Sequence, residues 1–274
     1  MKIDIIGYGS MGKMILEKFI ETKTIEQGKL FVSNRTYDKI MNLNKIYPQI
    51  NICGNNIDAV KDADIVFICV KPLEIKTVLS EIINGIKDNC HIVSLNGSIL
   101  FKQLEQICGN RKISKIIPSV TAEVNKSATL ICHNDYVNYD DKNILKELIG
   151  CFGSFVELPE TEIGIGSELT SCMPGFIGAI FKVITDEAEK HTAINKEQII
   201  QMVIETLYGT GKLLLEKRIT FEELINRVAT KGGITEEGTE IIGKKLPEII
   251  NEVFEKTLEK RKIITEKAQK DFMI

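Results

Sequence analysis

The chain has 274 residues, 43% of them hydrophobic and 27% charged, with a formal net charge of −3. That is the make-up of a globular protein with room for two cored domains, and it argues against a disordered or fibrous chain. The slight acidic excess excludes a general nucleic-acid-binding surface, and no continuous apolar stretch reaches the roughly 18 residues a membrane-spanning helix needs.

Residues 2–6 (KIDII) read as a buried strand, which leaves no room for a basic-then-apolar secretory signal. Residues 10–22 follow with Met11, Met14, Ile15 and Phe19 on one helical face. A second strand spans 29–33. Residues 63–70 (ADIVFICV) are apolar almost throughout, as befits a strand covered on both faces in a parallel sheet. Strands at 91–95 and 113–117 come next with helical segments between, and the runs 128–132 and 154–158 extend the series. This alternation predicts a doubly wound α/β sheet of the Rossmann kind over residues 1–160. Beyond Pro159 the period becomes helical, over about 165–190, 195–217, 221–229 and 236–268. Residues 161–274 are therefore expected to form an all-α domain. Leu246, Ile249, Ile250, Val253 and Leu258 make a stripe on the last helix, and a second subunit is the natural cover for it.

Seven cysteines stand at 53, 69, 90, 108, 132, 151 and 172, with no C-x-x-C spacing. An odd number lying partly in apolar strands points to free thiols in a reducing, cytoplasmic compartment. The three histidines (His91, His133, His191) have no ligand-like spacing, and no metal is expected.

Gly7-Tyr8-Gly9-Ser10-Met11-Gly12 is a G-x-G-x-x-G between the first strand and the first helix. Gly7 suits the tight turn, Gly9 the close approach of a pyrophosphate and Gly12 the packing of helix on strand, while the helix N-terminus offers free N–H groups to phosphate. The second strand ends in Ser33-Asn34-Arg35-Thr36, without the acid that an NAD site places there to hold the ribose 2′-OH. Arg35 can pair with a 2′-phosphate, and the hydroxyls of Ser33 and Thr36 can add to it, so the expected cofactor is NADP(H). The alternative for Arg35 is a solvated surface arginine. Glu26 lies at the conventional sequence distance for the NAD acid but precedes the strand.

Further motifs accumulate along the chain. They are Val70-Lys71-Pro72, Ser94-Leu95-Asn96-Gly97, Ile117-Pro118-Ser119-Val120-Thr121, Ser171-Cys172-Met173-Pro174-Gly175-Phe176 and Thr230-Lys231-Gly232-Gly233-Ile234-Thr235. In order and spacing the chain resembles the pyrroline-5-carboxylate reductases, whose motifs read V-K-P, a small-residue turn, M-P-N-T-P, G-S-G-P-A-Y and S-P-G-G-T-T. Ser119, Thr121, Cys172, Met173 and Lys231 depart from that pattern, and the resulting versions look like a divergent branch that includes late-competence operon proteins.

The resemblance implies NADPH-dependent reduction of 1-pyrroline-5-carboxylate to L-proline by a homodimer or larger homo-oligomer. It implies cofactor contacts from Val70, Lys71, Pro72, Asn96 and Gly97 and substrate contacts from Pro118 and Ser119. It also implies a carboxylate nest on the N–H groups of Gly232 and Gly233, with the Thr235 hydroxyl at the ring nitrogen. Lys231 is either a cation beside that nest or an exposed lysine. From the pattern alone Thr235-Glu236-Glu237 also reads as a helix start, with Thr235 as N-cap and acids in the first turn. Two rivals remain. One is a non-catalytic NADP-binding regulatory protein; the other is a 3-hydroxyacid dehydrogenase, for which Gly178 and Lys182 have the G-x-x-x-K spacing.

Overall fold

A computed structural model describes residues 1–272, except the side chain of Asp271. In chain order it has β1 (Ile3–Ile6), α1 (Ser10–Glu21), β2 (Leu30–Ser33), α2 (Leu43–Ile46), β3 (Asn51–Cys53), α3 (Asn56–Val60), β4 (Ile65–Ile68), α4 (Ile75–Ile82), β5 (His91–Ser94), α5 (Phe101–Cys108), β6 (Ile113–Ile117), β7 (Ser127–His133), α6 (Tyr139–Ile149) and β8 (Gly153–Glu157). Helices follow: α7 (Ile163–Leu169), α8 (Met173–Ala188), α9 (Lys196–Lys217), α10 (Phe221–Val228) and α11 (Ile234–Phe272).

The eight strands form one sheet in the order β3-β2-β1-β4-β5-β6-β7-β8. The first six are parallel; β7 runs antiparallel to β6 and parallel to β8. This is the doubly wound arrangement expected, with the strand order reversing at the β1–β4 junction, where such sheets open a ligand crevice. Every position of β1, β4 and β5 is buried because both faces are covered. On one face Ile6, Val66, Ile68 and Ile92 pack with α4 and α5; on the other Ile3, Ile5, Phe67 and Val93 pack with α1 and α6. Phe19 of α1 meets Phe67 edge-on and stacks on Phe152, with ring centroids 5.6 and 5.7 Å apart.

The chain divides into two compact units. Met1–Pro174, with the described residues from Leu258 on, forms the first, and Gly175–Thr257 the second. This division falls near the start of α8 and returns the end of α11 to the first unit, where Ala268 joins the core. In the second unit Asn195 caps α9 by accepting from the Gln198 N–H, and Thr220 and Glu223 form a capping box on α10. The second unit leaves Val183, Ile204, Leu215, Val228 and Ile241 exposed. One helical run, Glu160–His191, is apolar and long enough by composition to cross a membrane, although the sequence shows no unbroken apolar stretch. That run is interrupted at Thr170 (φ −124°, ψ −73°), between α7 and α8.

Several buried polar groups stand within the sheet, and those that titrate bear on stability. The fully buried Lys115 ammonium of β6 is bonded to the Glu160 carboxylate and lies 4.4 Å from the Phe101 ring centroid. Asp4 of β1 is fully buried, and burial pushes its carboxyl up to about 8 against the opposing pull of the Lys2 charge and the Ile5 N–H. His91 Nε2, Ser114 Oγ and His133 Nδ1 form a chain with both contacts at 2.6 Å. Burial pulls each imidazole down to about 4.

These shifts set opposite slopes of stability with pH. A histidine at about 4 in the fold and 6.5 when unfolded stabilises fully above pH 6.5, and this is lost as pH falls to 4. For His91 the loss is on the order of 3 kcal/mol. Asp4, ionised when unfolded but protonated in the fold, makes stability fall as pH rises from about 4 to about 8. With two histidines opposing one acid, stability is expected to peak near pH 6.5 (about the histidine reference value) and decline on both sides. Urea midpoints across pH 4–9 check this: His91→Gln should flatten the acid limb and Asp4→Asn the alkaline limb. Parallel curves for parent and variants would rule the assignment out.

Candidate dinucleotide site

The crevice at the carboxyl ends of β1, β2 and β4 is a cavity of about 560 Å³. Gly7 and Gly9 form one wall, Asn34, Arg35 and Lys39 the second, and Lys71 and Glu74 the third. Gly7 has φ +98°, and its N–H donates to Ser33 O at 2.9 Å; a Cβ there would stand 2.7 Å from Cys69 O. A Cβ on Gly12 would stand 1.9 Å from Gly7 O, so helix and turn touch backbone to backbone. A Cβ on Gly9 would meet nothing within 4 Å, because that position opens on the cavity. No side chain caps the start of α1, which leaves its first N–H groups for a ligand.

Tyr8 N–H donates to Asn34 Oδ1 at 2.9 Å, while Asn34 Nδ2 donates to Thr36 O at 2.8 Å. Asn34 thus ties the glycine turn to the loop that carries Arg35. Ser33 is buried and its hydroxyl donates to Asn56 Oδ1 at 2.9 Å, so it supports the loop from beneath. Ser10 is exposed on the first turn of α1, and Met11 packs partly into the core below. Arg35 is 86% exposed and its Nη1 reaches Glu74 Oε1 at 2.5 Å. Val70 closes on Gly7 from the end of β4; Lys71 N–H donates to Glu74 Oε2 at 3.2 Å, with Pro72 opening the turn into α4.

At the end of β5, Asn96 Oδ1 accepts from the N–H groups of Ser98 and Ile99 at 2.7 and 3.2 Å. A Cβ on Gly97 would stand 3.0 Å from Ile163 Cγ2 and 3.9 Å from Arg261 Nη1. Pro118 and Ser119 are buried; Ser119 N–H donates to Ser127 Oγ at 3.0 Å, and its own hydroxyl accepts from Thr121 N–H at 3.4 Å.

The remaining expected site residues belong to the second unit. Lys231 is exposed. Gly232 has φ +75°, and its N–H donates to Glu236 Oε2 at 2.6 Å; Gly233 N–H donates to Thr230 O at 2.8 Å. The Gly232 N–H thus holds a carboxylate of its own chain, while the Gly233 N–H is taken by the Thr230 carbonyl. Thr235 lies one residue inside α11 and is exposed, so it is not the N-cap that the sequence pattern suggested. Lys182, the residue on which the hydroxyacid dehydrogenase reading rests, is 75% exposed and paired with Asp186 at 2.5 Å. That is a solvated helix pair rather than a buried general acid.

Sequence reasoning missed two pairs. Glu74 contacts Arg35 across the cavity. Glu168, almost fully buried on α7, accepts from Arg261 Nη2 at 2.8 Å across 93 positions of sequence.

A family model described as "NADP oxidoreductase coenzyme F420-dependent" matches residues 2–97, and one described as "Pyrroline-5-carboxylate reductase dimerisation" matches residues 160–264. The chain is 35% identical to pyrroline-5-carboxylate reductase 3 of Bacillus subtilis over 98% of both chains. It is 28% identical to ComE operon protein 4 of the same organism over 94% of both chains. Its fold matches that of a Plasmodium falciparum pyrroline carboxylate reductase with NADP bound, at a TM-score of 0.83 and 21% identity, covering 96% of this chain and 98% of that one. With the glycine turn, the arginine loop and the helical region carried in one order along nearly the full length, the chain belongs to the pyrroline-5-carboxylate reductase family.

Proposed function

We propose that the chain is a cytoplasmic, homo-oligomeric oxidoreductase that reduces 1-pyrroline-5-carboxylate to L-proline with NADPH. The observation that carries this is the crevice, where an open glycine, an uncapped helix start and an arginine loop face one cavity. The N–H groups of Gly9, Ser10 and Met11 would hold the pyrophosphate, and Arg35 and Lys39 the 2′-phosphate. NADPH supplies the hydride when bound. Reduction of the C=N bond also needs a proton at nitrogen and a fixed carboxylate. The Thr235 hydroxyl is proposed for the first task, and the Gly232 and Gly233 N–H groups with Lys231 for the second. A substrate carboxylate entering that turn would displace Glu236 from the Gly232 N–H and compete with the Thr230 carbonyl for the Gly233 N–H. A second copy of the chain would cover the apolar residues that the second unit exposes, which agrees with the dimerisation family matched there. Seven free thiols suit a reducing cytoplasm.

The test follows NADPH absorbance at 340 nm with the chain and 1-pyrroline-5-carboxylate, with chromatography for L-proline (the usual nicotinamide readout). Stoichiometric NADPH loss and proline gain are expected. Firm NADPH binding with no turnover would replace this reading with a non-catalytic one.

A further inference from the structure

The cofactor pocket contains an acid in a place the sequence does not announce. Sites that take NAD end their second strand in Asp or Glu, which accepts a hydrogen bond from the ribose 2′-OH. Here that position carries Ser33, Asn34 and Arg35, and no carboxylate. Glu74 brings one to the same cavity from the β4–α4 connection. One of its oxygens sits 2.5 Å from Arg35 Nη1, the other accepts from Lys71 N–H, and its side chain stays 32% exposed.

A carboxylate so placed acts differently on the two cofactors. Toward a 2′-phosphate it is unfavourable, because it occupies the guanidinium that would grip the phosphate and repels the added negative charge. Toward a 2′-hydroxyl it is favourable, because it supplies the acceptor missing from the end of β2. Arg35 alone would commit the pocket to the phosphorylated dinucleotide; Arg35 with Glu74 does not.

We propose that Glu74 sets cofactor choice in this chain, weakening the preference for NADPH and admitting NADH to the same pocket. The inference rests on the dinucleotide reading of the crevice and is independent of the substrate. Dissociation constants for NADPH and NADH, measured by nicotinamide fluorescence on the full chain and on Glu74→Gln, test it. Glutamine keeps an acceptor for Lys71 N–H, so the turn is held while the charge is removed.

The parent is expected to prefer NADPH by no more than about tenfold, and Glu74→Gln to widen that preference about fivefold, the factor an exposed ion pair is worth. Arg35→Gln should narrow it by weakening NADPH alone. A preference unchanged in Glu74→Gln within about twofold, or a parent that favours NADPH more than about a hundredfold, would overturn the proposal. A parent that binds neither dinucleotide would overturn it together with the reading of the crevice. A parent that binds both but does not reduce 1-pyrroline-5-carboxylate would sink the substrate assignment and leave this inference standing.

Discussion

Gly12→Ala should weaken NADPH binding severely and cost the fold about 1–3 kcal/mol, the range for overpacking a tight contact. The added methyl would stand 1.9 Å from Gly7 O and 3.0 Å from Gly7 C. Both are backbone atoms, so no rotamer change relieves the clash. Helix α1 must lift from β1, and the glycine turn proposed to hold the pyrophosphate lifts with it. An affinity loss of about a hundredfold is expected, equivalent to about 3 kcal/mol of lost phosphate contacts. Gly9→Ala separates binding from folding. Its methyl meets no protein atom within 4 Å, and Gly9 has an ordinary φ of −87°. The urea midpoint should stay at the parent value while NADPH affinity falls, because the methyl enters the space a phosphate needs. A Gly12→Ala chain with parental stability and affinity would contradict the described packing.

Glu160→Ala should destabilise the chain by about 3–5 kcal/mol, the usual cost of leaving one member of a buried pair behind. Lys115 is fully buried, with the Glu160 carboxylate and the Phe101 ring beside its ammonium. Burial already pulls the lysine down from its usual range, with Glu160 opposing that shift. Glu160 Oε1 also accepts from the Phe101 N–H at 2.7 Å, so truncation removes the acceptor of an N–H at the start of α5. Glu160 is itself 27% exposed, so water entering the gap holds the loss to the lower end of the range. Lys115→Met combined with Glu160→Gln should recover most of the stability, because the uncompensated charge is gone and the acceptor for Phe101 N–H remains. Urea denaturation of parent, single and double variants reads this. A double variant no more stable than Glu160→Ala would show that the pair is not the source of the loss.

Much of this architecture was legible because it depends on local pattern. Seven of the eight strands and the long helices appear in the hydrophobic periodicity. β3 escaped, since Asn51-Ile52-Cys53 is three residues long, half-exposed and lies at the sheet edge. The antiparallel entry of β7 also escaped, since a strand's own pattern carries no direction. Helix α11 runs through Pro247 from Ile234 to Phe272, within a few residues of the expected 236–268. The predicted 165–190 helix is two helices, since Thr170 leaves the helical region between them. Within the site, Gly7, Gly9 and Gly12 were readable because their duties are set by sequence-local geometry. Ser33 was not: its hydroxyl bonds Asn56, 23 residues away, and only tertiary contact reveals that. Glu74 and the Glu168–Arg261 pair were invisible for the same reason, their partners lying 39 and 93 positions distant. Lys115 sits in an apolar run, yet the acid that makes its burial tolerable is 45 residues further on.

The crevice beside Gly7, Gly9 and Arg35 is proposed to grip a phosphorylated dinucleotide. NADPH titrated into the full chain, followed by nicotinamide fluorescence, tests it most directly. Saturable binding is expected at one site per chain with a dissociation constant in roughly the micromolar range, weakened in Arg35→Gln and in Gly9→Ala. A chain that shows no saturable NADPH binding, while its urea transition remains cooperative, would contradict it.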